Sequence, residues 1–291
     1  MPSDLRVIAT NSPVRSLRLA LTAVTAFAAS AVALAFLVLP IAALLTHLPP
    51  GRMLDEFGNP VVRDAVLVSV ETSAIAQAAV LVLGTPLAYL LATRRFRGRS
   101  LVVTAVELPI VLPPAVAGIG LLVAFGRLGL LGGAFSALGI DVAFNKAAVV
   151  LAVAFVAGPI YIRTAMAAFA AIDTRLVMAS RTLGAGPVRT FFRIVVPLAA
   201  SGLSAGAALA LARGLGEFGA TIMFAGSLRG VTQTLPLAIY AEFDVNLDVA
   251  IAIGALFVIA TAAILMSLKI TTRWRSSPPT SPFLAATSSS R

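Results

Sequence analysis

Glu71, Glu107, Arg213 and Glu217 are charged side chains set inside long apolar runs of this chain. A charge in a bilayer core is costly, so such residues pair with one another, bond to freed backbone groups or line a wet cavity. Arg213 and Glu217 are four apart, a spacing that places them on one face of a helix. Two roles fit that pair. In one, Arg213 forms part of an anion path or gate and Glu217 tunes its charge; in the other, the two form a structural ion pair that holds helix packing. Glu71 and Glu107 lack an obvious local partner. Carboxylates of this kind relay protons in gradient-driven carriers, or they hydrogen-bond polar groups inside a bundle. Glu107 sits just before Pro109, where a kink frees backbone groups that need partners.

Other chemistry is excluded by what the chain lacks. It has no cysteine, which removes disulfides, thiolate metal sites and cysteine nucleophiles. Its single histidine, His47, ends an apolar run, so His-rich metal sites and His relays are absent too. The only lysines, Lys146 and Lys269, stand in FNKAA and SLKIT with no glycine-rich loop before them. The chain therefore has no P-loop to hold a nucleotide. If it does transport work, either an ion gradient or a separate ATPase drives it.

The elements that must position these residues follow from composition. Of 291 residues, 59% are hydrophobic and 12% charged, and the mean hydropathy is +0.99. These values define an all-α polytopic membrane protein. Six segments reach the roughly 20 residues that a spanning helix needs. They are Leu19–Thr46, Ala65–Thr93, Leu101–Phe125, Ala147–Phe169, Leu198–Ala225 and Val249–Leu268. The first is far longer than the apolar region of a signal peptide, about 7–15 residues, and reads as a retained helix.

Basic residues flank alternate connections: Arg6, Arg15 and Arg18; Arg94, Arg95, Arg97 and Arg99; Arg175, Arg181, Arg189 and Arg193; Lys269, Arg273 and Arg275. The intervening connections carry Asp55, Glu56 and Asp64, then Asp141, then Glu242, Asp244 and Asp248. The positive-inside rule puts both termini and the 173–197 segment in the cytoplasm. The net charge of +10 is thus topogenic and faces anionic lipid, not nucleic acid. Residues 1–18 read as a cytoplasmic N-terminal segment and 276–291, rich in Ser, Thr, Pro and Ala, as a disordered cytoplasmic tail.

Prolines and glycines mark where the helices should break or meet. Pro109, Pro113 and Pro114, followed by Gly118 and Gly120, predict a bent or interrupted third span. Gly214, Gly216 and Gly219 predict close approach of a neighbour to the fifth. Thr232–Tyr240 is too short to span and is expected as a re-entrant or surface helix at the outer mouth.

The segment Asp173–Pro197 is polar and arginine-bearing between two apolar spans. Leu176, Ala179 and Leu183 recur at helical spacing, and Gly184, with Gly186-Pro187 behind it, allows a sharp turn. A second short helix should lead through Ile194 to Pro197, a proline tolerated in the first turn of the next span. The expected product is a helix-turn-helix protrusion suited to a groove on a soluble partner.

This segment resembles the EAA signature of importer-type ABC transporter permeases. Met178-Ala179-Ser180 stands for Glu-Ala-Ala, followed by Gly184 and Ile194-Val195-Val196-Pro197; Met178, Ser180 and Val196 depart from the usual Glu, Ala and Leu. Elsewhere the chain is similar to molybdate permeases and their sulfate and tungstate relatives. The similarity lies in Thr85–Ala92, Leu108–Pro114, Phe125–Arg127, Ala212–Thr221, Met223–Gly226 and Thr232–Tyr240. It covers about Ala65 to Leu268, and implies a type I permease core of five spans over 65–268, with an additional first helix at 19–46 outside it. The resemblance implies further that Met178, Ala179, Ser180, Arg181, Thr182, Leu183, Gly184, Ala185, Ile194 and Pro197 couple to an ATPase. With helices 3 and 5 as the path, Glu107, Pro113, Pro114, Arg213, Glu217 and Thr221 become candidates for its lining or gate. By the same resemblance the chain has no catalytic residue, metal or cofactor of its own, and ATP-Mg belongs to the partner. The implied partners are a cytoplasmic ABC ATPase dimer, an external oxyanion-binding protein and a second copy of the permease, in the inner membrane of a prokaryote. Molybdate is the first expected cargo, and tungstate, sulfate or thiosulfate are alternatives. The competing class is a gradient-driven carrier using Glu71, Glu107 or Glu217; the lack of visible paired halves argues against it.

Overall fold

The computed structural model describes the backbone from residue 13 to 275 and side chains from 21 to 267. Residues 1–12 of the N-terminal segment and the whole of the tail read as disordered, 276–291, thus lie outside the described residues. All regular structure among the described residues is helical. The chain divides into two units at Pro49/Pro50. The first contains helix α1, Pro13–Thr46, which begins before the expected Leu19 and is apolar throughout the stretch Leu21–Thr46.

The second unit begins with α2 (Pro50–Phe57) and α3 (Pro60–Thr93). Asn59 starts α3 by accepting the Val61 N–H at 3.0 Å, and Pro60 occupies a first-turn position where its missing N–H costs nothing. Next come α4 (Arg99–Val111) and α5 (Pro114–Phe125), bent by 118° across Leu112-Pro113. The expected interruption of the third span is therefore a sharp elbow. Pro113 and Pro114 have no N–H to continue the ladder, and the residue before a proline is driven to extended backbone, as at Leu112 (ψ 135°).

A connection carrying the short α6 (Gly132–Ala137) leads to α7 (Lys146–Ala170). Asn145 caps α7 by accepting the N–H groups of Ala147 and Ala148. The polar segment then holds α8 (Thr174–Thr182) and α9 (Pro187–Thr190). Contrary to expectation, α9 is not a separate helix. It continues through one π turn, Phe191–Val195, into α10 (Val196–Leu215). The wider turn precedes Pro197, whose ring and missing N–H disturb the ladder of a regular helix.

The predicted fifth span, Leu198–Ala225, also breaks. After α10 the chain turns at Gly216–Phe218 into α11 (Gly219–Ala225). Then follow α12 (Leu235–Glu242) and α13 (Leu247–Arg275). Among the described residues, five helices are long and apolar enough to cross a membrane, and the bent α4–α5 pair would be a sixth.

Helix α7 is the centre of this unit, packing against α3 and α10. Small residues make that possible: Ala148, Ala152, Ala157 and Ala165 of α7 and Ala76 and Ala88 of α3 are fully or almost fully buried. Helices α5 and α11 lie against each other. A Cβ on Gly118 would stand 2.7 Å from the Ala220 carbonyl oxygen, and one on Gly219 would stand 2.6 Å from Pro114 Cβ. The two half-helices after the two elbows are therefore in backbone contact. Thr232, Gln233 and Thr234 are buried, and the Leu235 N–H donates to Ser69 Oγ of α3 at 2.8 Å. Helix α12 is thus built into the bundle against α3 and α13, not laid on its surface.

Candidate translocation and coupling sites

The polar segment folds into a stiff hairpin. Asp173 accepts the Arg175 N–H at 2.9 Å and starts α8. Gly184 ends it with φ +83°, a left-handed conformation that a side chain resists. Its N–H donates to Arg181 O and the Ala185 N–H donates to Ser180 O, the paired bonds of a Schellman cap. The two limbs are joined by the hydroxyls of Ser180 and Thr190, 3.1 Å apart, with Thr190 buried. The residue that departs from the usual alanine thus carries the cross-link, a role not visible in the sequence.

The hairpin presents Leu176, Met178 and Leu183 outward, Leu183 at 89% exposure. Ala179, Arg181 and Thr182 are exposed with them, Ala185 and Ile194 are half-buried, and Pro197 is exposed. The apolar stripe expected of α8 therefore points away from the protein, while Val177 packs inward. Beneath it, Tyr89 of α3 meets Phe169 of α7 edge-on at 5.4 Å and Phe191 at 5.0 Å. These rings pack the base of the hairpin against two spanning helices.

The second site lies at the elbows. Arg213 Nη1 is 2.9 Å from Glu217 Oε2. The pair does not share a helical face, because α10 ends at Leu215 and Glu217 belongs to the turn. There Glu217 does two things: its other oxygen accepts the Ala220 N–H at 2.7 Å, tying down the start of α11. Glu217 is buried, its side chain 1% exposed, whereas that of Arg213 is 37% exposed. Arg213 borders a cavity of about 120 Å³ with Pro109, Ile110, Leu112 and Pro114 of the other elbow and Val156 and Ile160 of α7. Pro113 forms the turn between α4 and α5. Thr221, one turn into α11, is fully buried and its hydroxyl has no hydrogen-bond partner.

The two lone carboxylates acquire partners. Glu71 lies 2.5 Å from Lys146 Nζ, and Glu107 Oε1 lies 3.7 Å from Arg163 Nε. Both partners are remote in sequence, which is why local spacing left the acids alone. Arg163 is a charge inside an apolar run, like Arg213, and that criterion applied to Ala147–Phe169 singles it out.

A helical bundle with a broken span and a protruding, rigidly based hairpin is the architecture of ABC importer permeases. A bacterial alginate ABC transporter, solved in complex with a periplasmic protein holding an alginate pentasaccharide, shares this fold. The alignment covers 89% of this chain and 96% of that one, with a TM-score of 0.68 at 16% identity. The sequence gives the narrower assignment. The chain belongs to the family of binding-protein-dependent transport system inner membrane components, whose model matches residues 84–274. It is 40% identical over 233 residues to the molybdenum transport system permease protein ModB of Mycobacterium tuberculosis, covering 80% of this chain and 88% of that protein. With ModB of Escherichia coli K12 it shares 43% identity over 177 residues, 60% of this chain and 77% of the other. The chain is therefore a multi-pass membrane transport subunit and not an enzyme.

Proposed function

We propose that this chain is the permease of an ATP-driven importer of a tetrahedral oxyanion, with molybdate as cargo. The observation that carries the cargo is its similarity to molybdenum permeases along most of its length. The drive is argued from the hairpin. A chain without a P-loop needs an external motor, and an exposed apolar stripe on a capped, cross-linked hairpin fits a groove on a cytoplasmic ATPase. The arginine-rich connections support a cytoplasmic hairpin and cytoplasmic termini by the positive-inside rule.

In this mechanism two copies of the chain face each other, each with its hairpin seated on one ATPase subunit. ATP-driven closure of the ATPases draws the hairpins together, and the ring cluster at Tyr89, Phe169 and Phe191 passes the movement to α3 and α7. The elbows of α4–α5 and α10–α11 then open outward to an oxyanion delivered by an external binding protein. A dianion passing a low-dielectric region needs positive charge near it. Arg213 supplies it, and Glu217 offsets that charge between passages. Thr221 and the elbow residues Pro113 and Pro114 shape the gate.

Proteoliposomes containing the permease, its ATPase and its binding protein test the cargo. Molybdate should accumulate in preference to sulfate and thiosulfate when each is offered at the same concentration. Preferential accumulation of sulfate would overturn the assignment of molybdate while leaving the oxyanion class intact.

A further inference from the structure

Arg163 is a membrane-embedded charge for which neither the hairpin nor the gate described above has a use. Its side chain is 69% exposed and that of Glu107 is 43% exposed, on helices whose other charges, Lys146 and Arg99, stand at their first residues. Side chains so placed cannot face lipid without a large cost, so they face water or the opposing copy of the chain. Their position is fixed by helical geometry. Ile160 of α7 and Ile110 of α4 both line the cavity beside Arg213. Arg163 lies three residues beyond Ile160 and Glu107 three residues before Ile110, which places each on the same helix face as the cavity-lining residue. Helices α4 and α7 run in opposite directions relative to the hairpin: α7 leads into it, and α4 begins beside it, where Arg99 Nε donates to Leu91 O next to the Tyr89–Phe191 contact. Both displacements therefore point the same way, about 4.5 Å from the cavity along each axis. The Glu107–Arg163 contact, 3.7 Å, spans the two helices that flank the cavity.

We propose that Arg163 forms a second oxyanion station, one helical turn from the Arg213 cavity on the hairpin side, with Glu107 as its resting counter-ion. This rests on the oxyanion reading above. Each arginine is partly exposed and each is matched by one glutamate, so the path carries no net charge when empty. An incoming dianion exchanges one carboxylate partner for itself, first at Arg213 and then at Arg163. Two stations in series divide the low-dielectric passage into shorter steps. The Arg213 station binds its glutamate at 2.9 Å and the Arg163 station at 3.7 Å. The looser pair is on the exit side, where a carboxylate must return quickly to displace the anion.

The test uses the full transporter in proteoliposomes, with molybdate uptake and ATP hydrolysis measured together. Arg163→Gln should lower uptake at least tenfold at normal abundance and normal ATPase assembly, and Arg163→Lys should recover much of it. The decisive variant is the double change Glu107→Gln with Arg163→Gln. If the pair serves only to keep helix packing neutral, the double variant regains uptake and the station is overturned. If Arg163 receives the anion, the double variant stays as impaired as Arg163→Gln. Full uptake by Arg163→Gln also overturns it. A wild-type transporter that moves molybdate, tungstate, sulfate and thiosulfate not at all overturns the parent reading, and the station falls with it.

Discussion

Replacing Glu217 separates the two bonds that this side chain makes. In Glu217→Ala the buried Ala220 N–H loses its acceptor, which costs about 1–3 kcal/mol. The same change leaves Arg213 without its counter-ion. Breaking a fully buried pair costs about 3–5 kcal/mol, but Arg213 is 37% exposed and water can solvate part of its charge. That contribution falls to the order of 1 kcal/mol. The alanine variant should therefore lose about 2–4 kcal/mol in all. Glu217→Gln keeps an oxygen for Ala220 and loses only the charge, so it should lose about 1 kcal/mol. Thermal unfolding of the detergent-solubilised protein, followed by circular dichroism, reads the difference. With about 2–4 °C per kcal/mol for a chain of this size, the glutamine variant should melt a few degrees below wild type and the alanine variant clearly lower again. Equal melting of the two variants would refute the cap at Ala220, and wild-type melting of both would refute the buried pair.

Three further outcomes follow from the geometry. Gly118→Val places a branched side chain where even a Cβ meets the Ala220 carbonyl oxygen at 2.7 Å, so the α5–α11 contact must separate. Membrane abundance measured by immunoblot should fall sharply. Gly184→Val forces a β-branched residue to φ +83° at a cost of at least about 1–2 kcal/mol, and Leu183→Asp puts a charge on the tip of the hairpin. Both should reduce co-purification of the ATPase, Leu183→Asp without lowering the melting temperature of the bundle; normal assembly and uptake in both would remove the coupling role. Tyr161→Phe deletes a 2.5 Å bond to Thr85, whose hydroxyl still bonds Leu81 O. Unfolding should show a loss of no more than about 1.5 kcal/mol, and a larger loss would mean that the phenol has another structural role.

The spans were readable from sequence because hydropathy alone decides which segments lipid accepts. The hairpin was readable because only a residue free to adopt positive φ closes that turn, and Gly184 stands at the required place. The elbow at Leu112-Pro113 followed from proline chemistry. The second elbow did not, because nothing in Gly216-Glu217-Phe218 forbids a helix. Glu217 caps the start of α11 there by accepting the Ala220 N–H, and a glutamate two residues before a helix is no recognised start signal. Partners such as Lys146 for Glu71, 75 residues away, depend on helix pairing that periodicity does not specify. The π turn before Pro197 and the Ser180–Thr190 link were hidden for the same reason: each appears only once the hairpin is packed on the rings below it.

The most direct measurement varies the energy source. Proteoliposomes holding the permease with its ATPase and binding protein are loaded with ATP, or subjected to a proton gradient without ATP, and internal molybdate is followed over time. Accumulation with ATP, lost when the ATPase is omitted, is the outcome required of a hairpin-driven importer. Accumulation driven by the proton gradient with no ATPase present would show that the carboxylates, not the hairpin, power this chain.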